Sequence, residues 1–107
     1  MADVLEITPS QLESMLRGDD PPVVVDVREP WETEICRIEG STLIPMRSLP
    51  QRLQEIPRER TIAVVCHAGA RSYHAAEWLL SQGIEAVSVA GGVDRWAVEV
   101  EPGMKRY

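Results

Sequence analysis

No apolar run in this chain approaches the length needed to cross a bilayer, so a membrane-spanning helix is not expected. Basic residues are in deficit. Eleven Lys and Arg stand against 17 Asp and Glu, and the net charge of −6 argues against nucleic acid or an anionic membrane surface as a partner. Histidine and cysteine are scarce, two of each, and none falls in a Cys-x-x-Cys or paired-His spacing, so no metal site is expected. Met1-Ala2-Asp3 leads straight into a folded pattern, without a basic start or the apolar core of a leader. A cytoplasmic location is the expectation, and the two cysteines read as thiols rather than a structural disulfide. There is no internal repeat and no low-complexity stretch. The 107 residues, 44% hydrophobic and 26% charged, read as one soluble domain over residues 1–107 with a single core.

What is present centres on Cys66-His67-Ala68-Gly69-Ala70-Arg71-Ser72. The β-rich run 61–65 precedes it and has the length of a buried strand. After it, Ala75, Ala76, Leu79 and Leu80 recur at helical spacing, predicting a helix over 72–82 with Gly83 as its stop. A strand thus runs through a short loop of small residues into a helix N-terminus. That junction gathers unpaired backbone N–H groups and the positive end of a helix dipole around one sulfur atom. Helix N-termini and nearby cations favour the thiolate, which makes Cys66 the candidate nucleophile. Gly69 lets the loop turn tightly enough to aim several amides inward. The alternative is a buried structural cysteine ending a strand; the glycine and arginine at these offsets argue against it.

The flanking chain predicts alternating strands and helices. Thr8, Pro9 and Gln11 form a helix start with a capping box, Leu12, Met15 and Leu16 its buried stripe, and Gly18 its end. Val23-Val24-Val25 shows no alternation, as expected of a strand covered on both faces, and leads into Asp26-Val27-Arg28. Pro30 to Glu34 read as one helical turn and Thr42 to Ile44 as a short strand stopped by Pro45. Ser48-Leu49-Pro50-Gln51 repeats the capping pattern and predicts a helix with Leu49, Leu53 and Ile56 on one face, ending at Pro57. A strand over 84–89 and a last short helix from Val93 follow Gly83 and Gly91-Gly92 respectively. Residues 99–107 carry no assignable pattern. Strands alternating with helices argue an α/β domain, a mainly parallel sheet of about five strands with helices on both faces. Ligand sites in such sheets collect at strand carboxyl ends, so Asp26 and Arg28 fall on the same side as Cys66.

The loop from Cys66 to Ser72, a cysteine, four residues and an arginine, resembles the active-site loop of the rhodanese-like sulfurtransferases. Three other segments agree in order. Asp26-Val27-Arg28-Glu29-Pro30-Trp31-Glu32 is similar to the family's Asp-x-Arg-x-x-x-Glu block. Ile38-Glu39-Gly40-Ser41-Thr42-Leu43-Ile44-Pro45 is similar to its Ile-x-Gly-Ala-x-Asn-Ile-Pro block. Ala90-Gly91-Gly92-Val93-Asp94-Arg95-Trp96 is similar to its closing Gly-Gly-x-x-x-Trp block. The blocks span residues 26 to 96. One departure stands out: the family's usual Gly-His before Ile38 is here Cys36-Arg37. A glycine position there would imply a positive φ, which cysteine tolerates poorly, so the backbone of this loop is expected to differ. Cys36 is either a second thiol able to attack a persulfide on Cys66 or a partly buried, inert cysteine.

The resemblance implies a rhodanese-like fold and sulfur transfer through a Cys66 persulfide, with no bound cofactor. A small anionic donor such as thiosulfate supplies the sulfur, and a thiol, cyanide or a partner protein accepts it. Cys66 and Arg71 are then the catalytic pair, and the backbone of His67, Ala68, Gly69, Ala70 and Ser72 holds the transferred atom. Asp26, Arg28 and Glu32 support the loops. Two other readings share the persulfide or the fold: a dedicated carrier for tRNA or cofactor thiolation, and a non-enzymatic binding module. A phosphatase on the related scaffold would hold five residues between Cys and Arg rather than four.

Overall fold

Thr8 and Gln11 start the first helix by reciprocal bonding. The Gln11 N–H donates to the Thr8 hydroxyl at 3.1 Å, and the Thr8 N–H donates to the Gln11 side chain at 2.8 Å. In the computed structural model, which describes residues 3–107, that helix follows the first of five strands. Met1 and Ala2, read above as a start without a leader, lie outside the described residues. The elements run β1 (Leu5–Ile7), α1 (Pro9–Leu16), β2 (Val23–Asp26), α2 (Pro30–Ile35), β3 (Thr42–Leu43), β4 (Ile62–Val65), α3 (Ala70–Ser81), β5 (Ala86–Val89) and α4 (Gly92–Glu99).

The sheet order is β1-β5-β4-β2-β3, and every pairing is parallel. The expected α/β architecture, a parallel sheet with helices on both faces, is the one observed. The core explains why the strands show no polar alternation. Ile62, Val64 and Cys66 join a cluster with Ala75, Ala76 and Leu79 of α3 on one face. Ala63 and Val65 join Leu12 of α1 and Val93 and Trp96 of α4 on the other. Period-two side chains on a sheet covered twice must be apolar at both phases. No described helix is long and apolar enough to cross a membrane.

Two boundaries differ from expectation. The third helix begins at Ala70 rather than Ser72, so Arg71 and Ser72 belong to its first turn. The helix expected after Ser48 is replaced by two short 3-10 turns, Met46–Ser48 and Leu53–Glu55. An α-type bond does form over the expected first turn, the Arg52 N–H donating to the Ser48 carbonyl at 3.0 Å. At Arg52, however, the backbone opens to φ −111° and ψ 16°, and the chain restarts as the second 3-10 turn, closed by the Ile56 N–H on the Leu53 carbonyl at 3.1 Å. The apolar face nonetheless holds, with Leu49 and Ile56 buried and Leu53 packed against the same cluster.

Candidate active site

Cys66 leaves the end of β4 at the centre of the sheet, where neighbouring strands on both sides cover it. The chain then turns at Gly69, whose φ of +112° is open to glycine and strained for other residues. A Cβ there would also lie 3.2 Å from the Gly91 nitrogen. The turn aims two amides at one atom: the Gly69 N–H donates to the Cys66 Sγ at 3.1 Å and the Ser72 N–H at 3.3 Å. Ala70 and Arg71 are the first two residues of α3, so helix geometry leaves their N–H groups without intrahelical acceptors at the same end.

The outward carbonyls of the loop are bound elsewhere. The Val93 N–H donates to the Cys66 carbonyl at 2.8 Å, and the Asp94 N–H to the His67 carbonyl at 3.1 Å. The start of α4 therefore holds the loop from behind. Gly92 makes the approach possible: a Cβ on it would stand 2.3 Å from the Cys66 carbonyl oxygen and 2.4 Å from that of His67. With carbonyls fixed outward, the loop presents N–H groups inward, the polarity that holds an anion.

Residues 8–99 match the family model of the rhodanese-like domain. The chain belongs to the rhodanese-like family. It is 36% identical over 95 residues to a sulfurtransferase of Allochromatium vinosum, covering 88% of this chain and 89% of that protein. It is 34% identical over 92 residues to the thiosulfate sulfurtransferase GlpE of Glaesserella parasuis, covering 85% of this chain and 84% of that protein. Among solved structures, the rhodanese-like domain protein from Staphylococcus aureus superposes with a TM-score of 0.85 at 33% identity, covering 97% and 99% of the two chains. Some curated relatives are longer, and this chain spans only 26% of one of them.

In this rhodanese-like domain the supporting residues converge on the same end of the sheet. Arg71 reaches Glu32 of α2 through two bonds, Nη1 to Oε1 at 2.7 Å and Nη2 to Oε2 at 2.8 Å. The Arg71 bonds, outweighing burial and helped by the Glu29 N–H and the Tyr107 hydroxyl, hold the Glu32 carboxyl down to about 2. Arg28 is fully buried and forks onto Asp26, with Nη2 to Oδ2 at 2.7 Å. Its remaining hydrogens go to the Cys36 carbonyl at 2.8 Å, the Glu32 carbonyl at 3.3 Å and the Tyr107 hydroxyl at 2.9 Å. Asp26 and Arg28 thus tie β2 to the α2 loop. The Cys36 backbone is extended, φ −163° and ψ 156°, a conformation open to any residue, so the cysteine stands at that position without strain. Both cysteines are free thiols.

Two residues at this site carried no assignment from sequence. Ser88 of β5 is fully buried, its hydroxyl 2.8 Å from that of Ser72, which in turn lies 3.4 Å from the Cys66 Sγ. A serine inside the apolar run of a doubly covered strand was the signal. Tyr107 comes from the unassigned tail. Its ring stacks on His67 with centroids 4.0 Å apart and planes 15° apart, and meets Trp31 edge-on at 6.0 Å. The His67 Nε2 is buried without a hydrogen-bond partner among the described residues, and its ring is engaged in this stack. Among the described residues no group of three or more His, Cys, Asp or Glu side chains comes together as metal ligands.

Proposed function

We propose that this rhodanese-like domain moves a sulfane sulfur through a persulfide on Cys66. The observation that carries the reading is the pair of loop amides, Gly69 and Ser72, converging on the Cys66 sulfur from a loop whose Cys66 and His67 carbonyls are bound on its other side. The Cys66 thiolate attacks the outer sulfur of a small anionic donor such as thiosulfate. A new S–S bond forms, the donor's own S–S bond breaks, and sulfite leaves with the electron pair. The terminal sulfur carries negative charge and rests against the amides of the loop, His67 to Ser72. A thiolate or cyanide then attacks that sulfur, and Cys66 returns as thiolate. Arg71 supplies positive charge at the mouth for the donor's oxygens. Cys66 is only 1% exposed, so donor entry requires the mouth to widen.

Three observations support thiosulfate as donor over a phosphate ester. The loop holds four residues between Cys66 and Arg71, the amides close on a single sulfur, and one similar protein is named a thiosulfate sulfurtransferase. The test is to incubate the protein with thiosulfate and measure its intact mass. A gain of one sulfur atom, removed by cyanide and absent in Cys66→Ser, is the expected result. No cyanide-removable sulfur on Cys66 overturns the reading.

A further inference from the structure

Tyr107 contacts both ion pairs of the site at once. Its oxygen lies 2.9 Å from Arg28 Nη1 and 2.8 Å from Glu32 Oε2. The direction of each bond follows from chemistry. A guanidinium only donates, so the tyrosine oxygen accepts from Arg28, and its single O–H is left to donate to the Glu32 carboxylate. The result is an unbroken sequence of polar contacts, Asp26 to Arg28 to Tyr107 to Glu32 to Arg71. It begins at the buried end of β2 and finishes on the first turn of α3, beside the sulfur. Burial, with the Glu32 carboxylate beside it, pushes the phenol up to about 12, so it remains a donor at any working pH.

We propose that Tyr107 is a positioning residue of the transfer reaction, acting through Glu32 to fix the Arg71 guanidinium at the mouth of the loop. The inference rests on the sulfur-transfer reading for what Arg71 then does. The hydrogen count gives the reason a fixed Arg71 matters. Each Arg71 Nη carries two hydrogens, and one of each points to Glu32. The other two remain for an anionic donor, and the Arg71 side chain is 38% exposed, so a donor can reach them. Glu32 Oε1 is also held by the Glu29 N–H at 3.0 Å, but the other donor to Oε2 besides Arg71 is Tyr107. Without the phenol, one half of the carboxylate fork is held by the arginine it is meant to fix. Stacking on His67 brings the same ring against the catalytic loop, which sets the hydroxyl's height over Glu32.

The test uses Tyr107→Phe, which keeps the ring and its stack and removes only the hydroxyl. The expected result is a KM for thiosulfate raised roughly three- to ten-fold, with kcat within about two-fold of the parent. The same substitution in a Glu32→Gln background is expected to change KM by less than about two-fold, since its route to Arg71 is already broken. An activity-independent arm reads Arg71 directly by NMR. Separate Nη–H resonances in the parent protein are expected to average together in Tyr107→Phe. An unmoved KM, an equal factor in both backgrounds, or resonances that stay separate overturns the proposal. If the parent protein never takes sulfur from thiosulfate, the sulfur-transfer reading fails, and the resonances alone decide whether Tyr107 fixes Arg71.

Discussion

Arg71 and Glu32 stand 39 residues apart in the chain and meet through two parallel hydrogen bonds of 2.7 and 2.8 Å. The pair joins the first turn of α3 to the short helix after β2, so it closes the loop across two strand ends. The Glu32 side chain is only 4% exposed, and a carboxylate so covered needs its partner. Arg71→Ala is expected to cost about 2–3 kcal/mol of folding stability by urea denaturation and to slow sulfur loading at least about ten-fold. Arg71→Lys, with one point donor in place of a planar fork, is expected to recover less than half of either loss. Full recovery by lysine would show that charge alone suffices.

Stability at low pH follows from the same carboxylate. Glu32 titrates at about 2 in the folded chain against an ordinary 4.5, so the unfolded state binds the proton first as pH falls. The stabilisation is fully present above pH 4.5 and is lost between there and about 2. The gap corresponds to roughly 3 kcal/mol at most. Denaturation midpoints measured across this window are expected to fall steeply for the parent and less for Glu32→Gln. Parallel curves would remove Glu32 as the source.

Gly92→Ala tests the support behind the loop. A methyl there meets the Cys66 and His67 carbonyl oxygens at 2.3 and 2.4 Å, at a backbone φ of +60°. Backbone has to move, and a loss of at least about 2 kcal/mol is expected by chemical denaturation, together with loss of sulfur loading. Gly103→Ala, where nothing lies within 4 Å of the new methyl, is the control, expected within about 0.5 kcal/mol of the parent.

Ser88→Ala removes the hydroxyl that faces Ser72 at 2.8 Å. The Ser72 hydroxyl keeps the Gly69 carbonyl at 3.1 Å as a partner, so the stability cost is expected to be about 1 kcal/mol. Its orientation toward the sulfur is no longer shared with a second hydroxyl, and a loading rate lowered roughly three-fold with KM unchanged is the expected outcome. Unchanged stopped-flow kinetics would take Ser88 out of the site.

The loop was legible because its determinants are local. A covered strand, a glycine that can turn and a helix start lie within a few residues of Cys66, and each carries its own pattern. Asp26, Arg28 and Glu32 were legible as a block at a second strand end, although their partners were not. Tyr107 left no trace in the sequence. Its contacts span 75 and 79 residues, and it follows a stretch with neither helical nor strand periodicity. The segment after Ser48 misled because capping residues and apolar spacing matched a helix and its first turn does close, Arg52 N–H on the Ser48 carbonyl. The backbone departs from helix at Arg52, where neither glycine nor proline stands to mark it.

The backbone bonds from Val93 and Asp94 to the carbonyls of Cys66 and His67 bear on protein engineering. Grafting the seven residues from Cys66 to Ser72 onto another strand–helix junction would carry over the thiol but leave two peptide units free to rotate. A transplant intended to keep the loop's shape must bring along the turn from Gly91 to Asp94, between β5 and α4, as a second, separate insert.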